Sequence, residues 1–94
     1  MHNFPIHIEV AAIAGDKPNC KGRAIAIGQS WETHVHTPAG MCARSFAMLY
    51  PYLLAMRFAD DTPFERGKGY AEFVCPDGSV TFRLSRVIRE KTGD

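Results

Sequence analysis

Apolar and polar positions alternate from the start of the chain. Phe4, Ile6, Ile8 and Val10 stand against Pro5, His7, Glu9 and Ala11. Period two marks a half-buried strand, because successive side chains point to opposite faces. It predicts a strand over residues 4–13, with Pro5 at its start, where a missing N–H costs the ladder little. Ala24 to Ile27 reads as a short apolar strand or the approach to one, broken by Gly28-Gln29-Ser30. Trp31, Thr33 and Val35 then alternate with Glu32, His34 and His36, which predicts an extended segment with both histidines on one face. Further on, Ala71, Phe73 and Cys75 oppose Tyr70, Glu72 and Val74, and Val80, Phe82 and Leu84 oppose Thr81, Arg83 and Ser85. Pro76-Asp77-Gly78-Ser79 lies between them. Proline presets φ and glycine accepts positive φ, so a hairpin of 70–75 with 79–88 is expected, with Cys75 at its tip.

The period changes in the middle. After the turn Thr37-Pro38-Ala39-Gly40, the positions Cys42, Phe46, Leu49, Leu53 and Met56 fall on one stripe of a helical wheel, flanked by Tyr50, with Arg44 and Pro51 opposite. A helix from about Met41 to Phe58 is predicted. Thr37 precedes a proline and is pushed to extended geometry, which keeps the helix from starting earlier. Pro51 removes an N–H and crowds the Ala47 carbonyl, so a kink is expected, or two helices, 41–50 and 51–58. Arg57 lands near the apolar stripe and calls for a carboxylate or an anionic ligand, or must snorkel outward; an ion pair with Asp60 or Asp61, close at hand, is expected. Asp60 to Lys68 reads as a solvated loop, and Arg86, Arg89 and Lys91 as a basic, solvated end. Together these elements predict one domain over 1–94: an α+β fold with an antiparallel sheet of about four strands packed by one long or kinked helix.

Composition narrows the function classes. An apolar share of 46% with 11% aromatics is enough for a core, so disorder over most of the length is not expected. A net charge of +1 leaves no basic stripe for nucleic acid. No run approaches the ~20 apolar residues of a membrane span. The first residues, MHNFPIHIEV, lack the basic start and apolar centre of a signal peptide, so the cytoplasm is the expected compartment.

The chemistry-bearing residues are the cysteines. Cys20 lies in a polar, Gly- and Pro-containing loop over 14–23, Cys42 at the helix start, and Cys75 at the hairpin turn. Three widely spaced cysteines do not make a secreted disulfide framework. In a reducing compartment they read as buried thiols, metal ligands or a reactive site. Three thiolates fill three corners of a tetrahedral zinc site, with a histidine such as His36 or a water at the fourth. An open corner would admit a small-molecule substrate. No CxxC is present.

The same residues carry a resemblance. Cys20 with Gly28-x-x-Trp31, Thr37-Pro38-x-Gly40-x-Cys42, Leu49-Tyr50-Pro51-Tyr52 with Ala55-x-Arg57-Phe58, and Cys75-Pro76-Asp77-Gly78 ahead of Val80-x-Phe82 form a pattern spanning most of the chain. It resembles a family of small uncharacterised bacterial and archaeal proteins known mainly by three cysteines. The resemblance implies that Cys20, Cys42 and Cys75 belong together, and it implies no activity. Lys21-Gly22 stands where family members often carry a proline, and His34 and His36 are not part of the pattern.

Three readings follow. The first is a metal-binding protein holding zinc or iron through Cys20, Cys42 and Cys75, with His36 as a further ligand, since thiolates suit these metals over magnesium or calcium. The second is a thiol-dependent enzyme or redox protein, with Cys42 activated by the helix start and Asp77 or a histidine assisting. The third is a non-enzymatic interaction module or homo-oligomer, with one sheet face either covered or wet.

Overall fold

Among the described residues, two antiparallel strand pairs flank a single helix. The computed structural model describes residues 2–13, 26–67, 69–75 and 80–88. In chain order it has β1 (Ile6–Ile13), β2 (Ser30–Thr33), α1 (Ala43–Phe58), β3 (Tyr70–Val74) and β4 (Val80–Arg86). The strands form one antiparallel sheet in the order β2-β1-β4-β3. β2 and β3 lie on opposite edges, so the chain must cross the sheet between them. α1 makes that crossing and covers one face, giving the expected α+β architecture.

The alternation read from the sequence sets which face is covered. Ile6, Ile8, Val10, Val80, Phe82, Leu84 and Ala71 are buried against Leu49, Leu53 and Met56 of α1. A register irregularity between Val10 and Ala12 turns the end of β1, so Ile13 pairs with Val80 and packs against the core. An extra residue in one strand reverses the phase that simple alternation gives. The opposite face is polar: Arg83 donates to Glu72 at 2.7 and 2.9 Å, and its guanidinium lies 5.3 Å from the centre of the Tyr70 ring. Such a face can meet water directly.

Three expectations need correcting. The second strand stops at Thr33, short of both histidines, because the Thr33 hydroxyl donates to the His36 carbonyl at 2.6 Å and turns the chain. Ile27 lies in no strand and is exposed; Ala24 and Ile25 lie outside the described residues. The helix does not divide at Pro51 but runs from Ala43 to Phe58. Pro51 and Ala47 are both exposed, so water can satisfy the carbonyl that proline leaves without an intrahelical donor.

The largest departure concerns Arg86 and the loop after α1. Arg86 is not a solvated basic end. Its Nη1 and Nη2 each donate to Glu65 at 2.7 Å, and both side chains are 2% exposed. Its Nε donates to the carbonyls of Met56 and Ala59, at 3.1 and 2.7 Å, where the helix ends. Unpaired carbonyls at a helix C-terminus attract a cation, and a forked guanidinium satisfies two of them while holding a carboxylate. Glu65 also accepts from the Thr62 hydroxyl and the Gly69 N–H. The hydrogen bond from Arg86 is the main reason its carboxyl is held down at about 2, against burial, which pushes the other way. Phe64 packs edge-on against Tyr52, whose ring stacks on Phe73 at 4.1 Å. The loop over 60–67 is therefore pinned at its centre.

Candidate functional site

Cys42 is the N-cap of α1. Its backbone is extended (φ −60, ψ 127), its carbonyl accepts the Phe46 N–H at 2.9 Å, and its side chain makes no capping hydrogen bond. Gly40, with φ 79, supplies the left-handed turn that brings the chain into the helix. Cys42 is half-buried, and the first turn carries no acidic residue to offset the positive end of the helix dipole. Cys75 follows β3 directly. Its N–H donates to the Val80 carbonyl at 2.8 Å, and its Sγ accepts the Val80 N–H at 3.3 Å. It is 4% exposed and belongs to the core. Cys20 and Asp77 lie outside the described residues.

Among the described residues, no group of three or more His, Cys, Asp or Glu side chains stands in an arrangement that could hold a metal. Cys42, Cys75 and His36 therefore do not make such a group by themselves. A metal at the thiols needs a donor from outside the described residues, which is where Cys20 lies.

The two histidines do not pair on a strand. His34 turns to the N-terminal segment, with Nε2 3.0 Å from Asn3 Oδ1 and 3.1 Å from the Asn3 carbonyl. Arg57 joins the same group. Its Nε donates to Asn3 Oδ1 at 2.8 Å, and its guanidinium sits 4.9 Å from the Phe58 ring centre. The expected ion pair of Arg57 with Asp60 or Asp61 does not form. Asp60 instead lies 3.6 Å from His2. Because arginine can only donate, the Asn3 atom it meets is the oxygen. His34 Nε2 then faces two acceptors and must carry the proton.

These side chains border a cleft that the sequence does not reveal. It lies between residues 33–37 and one flank of α1, open to solvent, with a volume of about 520 Å³. Phe46, Ala47, Tyr50 and Arg57 form the helix side, and Thr33 to Thr37 the other. A smaller recess continues inward to Ile6, Leu53 and Leu54. Helical spacing of 46, 50, 53, 54 and 57 could have suggested a common flank. That residues 34–37 would wall it could not be read, because the segment looked like a strand.

Comparison with protein-family models, curated proteins and solved structures finds no match. No helix among the described residues is long and apolar enough to cross a membrane.

Proposed function

We propose that the protein binds a transition metal, zinc or iron, through the thiolates of Cys20, Cys42 and Cys75. The observation that carries this reading is the Cys75 sulfur, buried and accepting a backbone N–H. Hydrogen bonds of this kind orient and tune metal-bound thiolates. The placement of the elements supports it. The C-terminus of α1 is tied to Arg86, at one end of β4, and Cys75 pairs with Val80 at the other. Cys42 begins α1, about 24 Å of helix from that tie. The segment carrying Cys20 leaves β1 at Ile13, which also pairs with Val80. A metal would supply Lewis acidity or a structural cross-link.

Metal analysis of protein purified without a histidine tag tests the reading. Near-stoichiometric zinc or iron, lost together with stability in chelator, is the expected result. Metal-poor protein whose folding ignores chelator would overturn it.

A second reading rests on Cys42 alone: a thiol at the N-cap of a helix whose first turn lacks acids. Such a thiol acts as a nucleophile or redox centre, with Asp77 as an assisting acid or base. Alkylation across pH separates the two. Cys42 reactivity that titrates below the ordinary thiol value of about 8.5 in metal-stripped protein supports it, and ordinary titration removes it.

A further inference from the structure

The cleft along α1 is independent of the thiols. Its apolar surface comes from Phe46 and Tyr50, whose rings meet at 5.8 Å, and from the exposed Val35. Among the described residues, Arg57 is the only formally charged one lining it. Asn3 fixes Arg57 through Nε alone; among the described residues the two terminal nitrogens make no hydrogen bond. The cation is thus oriented by Asn3 and by the Phe58 ring, 4.9 Å from its centre, and keeps four N–H donors for another group. A volume of about 520 Å³ falls within the range of small-molecule sites, which pair apolar walls with a few placed polar groups.

We propose that this cleft binds a small organic carboxylate, with the anionic head on the terminal nitrogens of Arg57 and an aromatic or aliphatic body against Phe46 and Tyr50. The complementarity is chemical: the outer edge of a planar fork matches a carboxylate in two parallel hydrogen bonds. The adjoining rings favour a flat apolar body. His34, held by its Nε2–H on Asn3, helps keep the wall in place, because it shares Asn3 Oδ1 with Arg57.

Phenylacetate and its neutral isostere phenylacetamide are the probes, titrated into the full chain and followed by amide NMR. The expected result is saturable shifts confined to residues 33–37 and 46–57, with phenylacetate bound at least about ten-fold more tightly than the amide. Arg57→Gln should erase that preference while leaving the circular dichroism unchanged. Should this variant fail to fold, Ala47→Trp, which fills the cleft from an exposed position, should abolish binding of both probes. Equal affinity for acid and amide overturns the proposal, as does absence of saturation below about 10 mM. Matching shifts on concentrating the unliganded protein also overturn it, since they would assign the cleft to contact between two copies of this chain.

Discussion

Glu65 and Arg86 show how one pair of side chains can hold several elements. The hydrogen bond from Arg86 holds the Glu65 carboxyl down at about 2 in the folded chain, from an ordinary value of 4.5. A folded value below the unfolded one means that the unfolded state takes up protons first as pH falls. The stabilisation is complete above pH 4.5 and lost as pH drops toward 2, and amounts to about 3 kcal/mol. Urea denaturation from pH 7 to pH 2 should show this loss, and Glu65→Gln should remove most of it. At neutral pH the same substitution should cost about 3–5 kcal/mol, since it leaves a buried guanidinium without its counter-charge. Replacing both residues by apolar ones should cost less than replacing one. At His34 the expectation is qualitative: the neutral ring should be the Nε2–H tautomer, visible in nitrogen chemical shifts, and Asn3→Ala should release it to a mixture. Both residues were visible in the sequence, but their roles were not. Continuing the alternation of Val80, Phe82 and Leu84 by two residues puts Arg86 on the buried face. Its charge pointed the other way, and only the helix end and Glu65 make burial tolerable.

Among the elements, the strands follow most directly from the sequence. Their buried positions are those that alternation picks out, and β3 and β4 differ from expectation only at their ends. α1 departs further. Its buried residues are Ser45, Leu49, Leu53 and Met56, while Tyr50, Leu54 and Phe58 leave an apolar stripe exposed. The wheel picks Leu49, Leu53 and Met56, which do face the sheet, but it adds Cys42 and Phe46, which are only half-buried, and misses Ser45. Pro51 stands on the exposed side. Because its lost hydrogen bond is made good only by solvent, Pro51→Ala should raise stability by about 1 kcal/mol or more, measured by chemical denaturation. A fall instead would mean that a bend at Pro51 serves the packing. Leu49→Ala, by contrast, should cost about 2–5 kcal/mol, because Leu49 is fully buried between the helix and the sheet.

Across the molecule, the segment before β1 acts as a strap. The Phe4 N–H donates to the Arg57 carbonyl at 2.8 Å, the Pro5 carbonyl accepts from Val87 at 2.8 Å, and the Phe4 ring lies 5.8 Å from Arg86. Asn3 reaches both Arg57 and His34. Removing residues 1–4 should therefore cost about 2–3 kcal/mol, from lost hydrogen bonds and the burial of Phe4. Hydrogen exchange should rise at the end of α1 and around His34, not only at the new terminus. Unchanged exchange there would show that the strap adds no restraint.

The sequence by itself determined the strand faces, the central helix, the hairpin of β3 with β4 and the α+β class, because each follows from a local period or turn that a short window contains. Strand order, the end of β2, the burial of Arg86 with Glu65 and the cleft beside Arg57 were decided only by the tertiary structure. Each depends on groups brought together from distant parts of the chain, where an unpaired charge or carbonyl in one element finds its counterpart in another.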